Sequence, residues 1–336
     1  MYATPGRMRR WGCMTAPRRI VDGQFYFVTR RTLLRTFFLR PHPVVNQMFE
    51  YFLAEAAARH GIELIAWCAM SNHYHAIIYD PDGRVPAFIE RFHKMLAKAL
   101  NVHYERFESI WSRDQTCLTR LVTLADVFDK VVYVLSNPAA AHLVENIAHW
   151  PGSSSWTRMG RAAKTVRRPA NGYFSKEGRM WKTVELQAVA PRGLRGESYA
   201  AWITRVREAV NANQDKLAKE RRSRVLGCKA VLATDPFDVP KSQAPRRKLR
   251  PHLACKEKAR MKEERRALKD FRADYREARE RLRAGTGKVE FPEGTYRLRL
   301  LGLRCAAGCA TPVATRRAPK AKKAARARAT KAKRAA

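Results

Sequence analysis

The chain has 336 residues, room for one or two domains with a sizeable core. It carries 67 Lys+Arg against 30 Asp+Glu, a formal charge of +37. A solvated surface alone does not need that imbalance, so a polyanionic partner is expected, with nucleic acid ahead of an anionic membrane surface. No stretch reaches the about 20 apolar residues that span a bilayer, and Met1 to Arg19 is basic without the apolar run of a signal peptide. Seven scattered cysteines, an odd number, suit a reducing cytoplasm. Cys305 and Cys309 form a C-x3-C with no second pair, a weak basis for zinc.

Gln24 to Thr29, rich in aromatic and β-branched residues, predicts a strand. Val44, Met48, Tyr51, Phe52 and Ala56 recur at helical spacing over Pro43 to Arg59, and Gly61 stands where a helix ends. Ile62 to Met70 and His73 to Tyr79 read as strands joined by Ser71-Asn72, a hairpin. After the turn Asp80-Pro81-Asp82-Gly83 a helix is expected over Val85 to Arg106, then a short strand over Thr116 to Val122. Leu124 to Ser136 predicts another helix, opened by Thr123 with Asp126 three residues on as an acidic capping box. Asn137-Pro138 is expected to interrupt it, with a restart over Ala139 to Ile147. The order β-α-β-β-α-β-α implies an α+β, ferredoxin-like fold: an antiparallel sheet with helices on one face.

Composition shifts near residue 160, and 1–160 is the expected catalytic domain. Beyond it the sequence predicts a basic, mostly helical extension over 161–234, with an amphipathic helix from Tyr199 to Arg221. A Pro-rich linker over 235–251 and a charged helix from Ala254 to Arg283 follow, with Phe291 to Cys305 as a docking segment. The tail over 311–336 is expected to be disordered and, lacking acids from Arg316 on, to bind phosphates without sequence preference.

Residues 70–75 read Met-Ser-Asn-His-Tyr-His. Strand alternation sends His73 and His75 to one face and Tyr74 to the other. Two such imidazoles can meet at one divalent ion if a third ligand approaches. Taken alone, a His-x-His is more often a pair of surface histidines. Farther on, Tyr133 and Asn137 stand four apart, on one helical face. The amide oxygen of Asn137 is a hard ligand suited to Mg²⁺ or Mn²⁺. Its bland reading is a helix-ending residue before proline, and that of Tyr133 a core or rim tyrosine. Arg30, Arg31, Arg35 and Arg40, just after the first strand, are candidate phosphate contacts, with solvated surface arginines the competing reading.

Met-Ser-Asn-His-Tyr-His, Tyr133-Val-Leu-Ser-Asn-Pro, and Trp150-Pro151 with Ser153-Ser154-Ser155-Trp156 together resemble the single-tyrosine His-hydrophobe-His transposases, closest to the REP-associated tyrosine transposases. Trp111, after Ile110, also falls where that branch carries Ile/Val-Trp. The resemblance covers about residues 15 to 160. It implies a ferredoxin-like catalytic domain, a divalent metal (Mg²⁺ or Mn²⁺) on His73, His75 and Asn137, and Tyr133 as nucleophile. It further implies single-stranded or hairpin-ended DNA as substrate and a nucleoid-associated place in the cytoplasm. Two departures stand out. Tyr74 replaces the commoner aliphatic between the histidines, and Ala139-Ala140-Ala141-His142 replaces Val-Arg-Ala-Gly, losing a basic residue near the site. A non-catalytic, domesticated nucleic-acid binder on the same fold is the alternative, and whether the chain forms a homodimer is open.

Overall fold

The computed structural model describes residues 17–113, 116–169, 172, 180–242, 251–285 and 287–306. Most of the basic start, much of the Pro-rich linker, Cys309 and the basic tail lie outside them.

The first half follows the expected order: β1 (Gln24–Arg31), α1 (Pro43–His60), β2 (Glu63–Met70), β3 (His73–Asp80), α2 (Val85–His103), β4 (Cys117–Leu121) and α3 (Leu124–Ala140). Then come a short hairpin of β5 (Lys164–Arg167) and β6 (Thr183–Leu186), α4 (Tyr199–Glu220) and α5 (Cys228–Ala233). The two-residue β7 (Leu253–Ala254), α6 (Lys258–Arg283) and α7 (Arg297–Leu300) complete the described chain. The main sheet has the order β2-β3-β1-β4-β7, antiparallel except where β7 runs parallel to β4. Its first four strands have the ferredoxin-like order, so the fold class is α+β as expected.

One detail of the expected architecture is corrected. Tyr74 of β3 packs among Phe49 of α1 and Phe92 and His93 of α2, whereas the ring of its neighbour His75 meets Tyr133 of α3. Helices therefore cover both faces, α1 and α2 one and α3 the other. The physical reason lies in β2 and β3, which are buried along nearly their whole length and need cover on each side.

Local chemistry sets the element ends. Gly61 closes α1 in the left-handed region at φ 70°, and Thr123 and Asp126 form the reciprocal capping box of α3. Beyond the predicted Thr29, β1 continues through Arg30 and Arg31 because Tyr74 and His73 offer ladder partners. α2 stops at His103, short of Arg106, where Glu105 turns left-handed. The expected break at Asn137-Pro138 does not occur: α3 runs through Pro138 to Ala140. No α-helix restarts over Ala139 to Ile147, because His142 takes a left-handed conformation (φ 55°) that turns the chain away, and only a single 3-10 turn follows at Ile147–His149. In the extension the β5–β6 hairpin was not foreseen; each strand is only four residues long, too short a run for its pattern to stand out, although β6 alternates exposed and buried residues.

The outer edge of β2 is closed by the serine-rich segment. Ala69 N donates to Ser153 O (2.8 Å), Ser155 N to Trp67 O (2.9 Å) and Trp150 Nε1 to Ala69 O (3.0 Å). The Ser153 and Ser155 hydroxyls accept from the indole and backbone N–H of Trp67. The Trp-Pro and Ser-Ser-Ser residues thus cover a sheet edge that would otherwise template another strand. Val166, Val184, Leu186, Trp202, Val206, Val210 and Val231, all after residue 160, belong to the same hydrophobic core as the first half.

Candidate metal and nucleophile site

The site lies on the α3 face of the sheet. A two-residue turn at Ser71-Asn72 fixes the β2–β3 register, pairing Met70 with His73. His73 and His75 then project to the same side, with their Nε2 atoms 3.1 Å apart. Each ring is oriented from behind. His73 Nδ1 meets Asn72 Oδ1 at 2.7 Å, and His75 Nδ1 meets Thr29 Oγ1 at 2.8 Å across the β1–β3 ladder. A carboxamide oxygen only accepts, so Nδ1 of His73 carries the proton and its Nε2 lone pair faces His75.

This arrangement fits a divalent ion. Right-angle ligation at about 2.1 Å would set two nitrogens about 3.0 Å apart, close to the spacing present. Outward Nδ1 hydrogen bonds that fix the tautomer are the usual support of metal-ligating histidines. Among the described residues no group of three His, Cys, Asp or Glu side chains could hold a metal. A metal held by this pair would take its remaining ligands from other groups.

Tyr133 is 45% exposed on α3, with its ring centroid 5.5 Å from that of His75 in an edge-on contact. Phe27 of β1 stacks on His75 (5.3 Å) and meets Tyr133 edge-on (5.9 Å), so three rings form one wall. Lys130, one turn before Tyr133, holds its ammonium 5.2 Å from the tyrosine ring and 5.6 Å from that of Phe27. Asn137 lies one turn beyond Tyr133, half-buried, with its backbone carbonyl accepting from Ala141. The structure thus gathers His73, His75 and Tyr133, while the Asn137 amide is hydrogen-bonded to neither histidine.

Tyr74 faces away, fully buried, its hydroxyl 2.6 Å from His93 Nε2. Burial pushes its phenol well above the ordinary range and holds His93 down to about 3. Of the four arginines, Arg30 donates to Ser112 O (2.9 Å) and Thr116 Oγ1, Arg35 to Ser242, and Arg40 to Leu232 O. Arg31 pairs with His73 in the β1–β3 register, hence shares its face.

Sequence reading missed Thr29, Asn72, Phe27 and Lys130. Signals existed for some: Asn72 is the turn residue beside His73, and Lys130 stands three before Tyr133 on the helix. Thr29 and Phe27 become visible only through strand pairing.

Residues 26–119 match the family model described as transposase, IS200-like. That segment is similar to the IS200-like transposases. It runs from β1 into β4, includes both histidines and the Thr29 and Asn72 that orient them, and stops short of α3. Among solved structures, a REP-associated tyrosine transposase bound to a REP hairpin is 18% identical, covering 49% of this chain and 96% of its own, with a TM-score of 0.35. A Deinococcus radiodurans R1 chain provisionally described as a transposase is also 18% identical, covering 35% and 93%, with a TM-score of 0.27. No curated protein matches the chain.

Proposed function

We propose that the protein is a metal-dependent transposase that nicks and rejoins one DNA strand through a 5′-phosphotyrosine on Tyr133. The observation that carries this reading is the convergence of two Nε2 atoms, 3.1 Å apart, with the exposed Tyr133 ring against His75. His73 and His75 would hold Mg²⁺ or Mn²⁺, with the Asn137 amide oxygen as a hard third ligand. When bound, such an ion supplies Lewis-acid polarisation of the scissile phosphate.

Tyr133 Oη forms a bond to phosphorus as the P–O3′ bond breaks, leaving the downstream 5′-phosphate on the enzyme and a 3′-hydroxyl on the upstream strand. The phenolic proton passes to water, and the departing 3′-oxygen takes one up. A free phenol, with a pKa of about 10, is a weak nucleophile at neutral pH. The Lys130 ammonium, 5.2 Å from the ring centroid, places a positive charge beside the attacking group, where it can meet the phosphate. Rejoining reverses these bonds with the 3′-hydroxyl of another strand. One ester replaces another throughout, so no nucleotide hydrolysis is needed.

Arg31, on the His73 face, is the arginine best placed to meet a phosphate. Arg30, Arg35 and Arg40 add positive potential while bracing the surrounding loops. The substrate we infer is single-stranded or hairpin-ended DNA, which sets the protein at the nucleoid. No helix among the described residues is long and apolar enough to cross a membrane.

The test is incubation with labelled hairpin DNA and Mn²⁺, followed by denaturing electrophoresis. A covalent adduct absent from Tyr133→Phe is expected. Cleavage without adduct would replace the mechanism with water-based hydrolysis, and binding alone would leave a non-catalytic DNA binder.

A further inference from the structure

Beside the β2–β3 turn lies a surface that the reaction at His73 and His75 leaves unexplained. Three segments build it: the β1–α1 loop, the loop after α2, and the chain following α5. They are firmly joined. Thr32 N and Oγ1 both donate to Asn72 O, Leu39 N donates to Ser71 O, Leu33 N to Ile110 O, and Phe37 N to Asp238 O. The surface is therefore fastened to the turn that carries Asn72, the residue orienting His73.

Large apolar side chains stand out from it. Phe107 is 100% exposed, Leu34 79% and Phe237 50%. Phe237 sits edge-on to Phe38 (6.1 Å) and Tyr104 (5.6 Å), with the Arg106 guanidinium 4.6 Å from the Phe38 ring and 6.0 Å from that of Phe237. The backbone is strained to present them. Leu34, Arg35 and Glu105 all lie at positive φ (50°, 64° and 52°), a conformation costly for side chains with a Cβ. Single exposed apolar residues need no explanation. A cluster held by strained backbone and interleaved with guanidinium groups does.

We propose that this shelf is a stacking platform for unpaired bases of the strand whose phosphate reaches His73 and His75. The inference rests on the DNA reading above and names where the flanking nucleotides go. A nucleic-acid occupant is favoured by charge: the chain carries +37, and Arg35, Arg40 and Arg106 rim the shelf, with Arg106 also paired to Glu108. Rings and a guanidinium plane presented together are what base faces and the backbone between them require.

Binding is read by fluorescence anisotropy in EDTA, so that cleavage cannot intervene, using a short labelled thymidine strand and a fully abasic strand of equal length. Wild type should bind the thymidine strand about tenfold more tightly, the effect of one stacked base. Phe107→Ala, which removes a side chain with no packing role, should lose most of that preference while binding the abasic strand as wild type does. Tyr133→Phe should keep the preference although it forms no adduct, so failure of the nicking reading is distinguishable from failure of the shelf. An undiminished preference in Phe107→Ala overturns the proposal. So does equal weakening toward both strands, or sedimentation showing a wild-type dimer that Phe107→Ala dissociates, which would assign the shelf to a second copy.

Discussion

Replacing Thr29 by valine tests whether the histidine pair is a metal site and whether the structure has identified what aims it. Valine keeps the shape of threonine and the strand preference of β1, and removes only the hydroxyl 2.8 Å from His75 Nδ1. The tautomer that leaves Nε2 free then loses this hydrogen-bond partner. Loss of such an outer-shell partner weakens metal binding about 10- to 100-fold, or about 1.4–2.7 kcal/mol. Phe27, stacked on the same ring at 5.3 Å, still restricts its swing and sets the expectation at the lower end, about tenfold. The stability cost should stay near 1 kcal/mol, that of one hydrogen bond. Calorimetric titration with Mn²⁺ reads the affinity, and a urea melt of each protein separates weakened binding from unfolding. His73→Ala should abolish the binding isotherm. If Thr29→Val binds Mn²⁺ as tightly as wild type while His73→Ala does not bind, the hydroxyl does not aim the ring. If His73→Ala also binds normally, the pair is not the metal site.

Stability should fall in acid through His93. Its pKa is held down to about 3 by burial while the unfolded chain protonates near 6.5, so between those values the unfolded state binds the extra proton. The contribution is complete above pH 6.5 and is lost as pH falls, by up to about 1.4 kcal/mol per pH unit; His93→Gln should show a shallower slope in urea melts over that window. Arg91→Ala should cost about 3 kcal/mol in the same measurement, because Glu55, with 0% side-chain exposure, then keeps only Arg59. Glu55→Leu should cost less, since the two arginines it releases can reach solvent. Lys256→Asp sets like charge against Asp126 and Asp129 at the start of α3. It should slow adduct formation about tenfold through misplacement of Tyr133 while leaving Mn²⁺ affinity unchanged; equal loss of both would show general destabilisation instead.

Much of this was legible in the sequence, and for physical reasons. The ferredoxin-like half carries period-2 and period-3.6 patterns, a two-residue hairpin turn and a capping box, each a local signal. Strand alternation alone separated Tyr74 from the histidines, and the structure puts Tyr74 against His93 on the opposite face. What could not be read depends on pairing between distant segments. Thr29 aims His75 only because β1 and β3 align those two residues, and the cover of both faces follows from α3 crossing β2 and β3. Pro138 misled for a different reason: proline removes one helical hydrogen bond, and the buried Val134, Leu135 and Ala139 around it hold α3 together regardless.

The two halves of the proposed site are held by different parts of the chain. The histidines belong to a hairpin whose turn is bonded to Thr32 and whose outer edge is closed by Ser153 and Ser155, all before residue 160. Tyr133 rides on a helix that packs on β2 and β3 and is also secured from beyond residue 160. At the start of α3, Lys256 N donates to Asp126 Oδ1 (2.9 Å) and Val122 N to Ala254 O (3.2 Å), while Arg120 grips Glu264 of α6 through two bonds of 2.6 and 2.7 Å. Along its outer side, α4 packs against α3 with Arg205 over the Phe128 ring. The segment matching the transposase family ends before α3, so it contains the histidines but not Tyr133. The basic extension is then more than a polyanion-binding appendage. It helps hold α3 and with it Tyr133, and under the proposed function substitutions there should change the rate of strand attack before they change metal affinity.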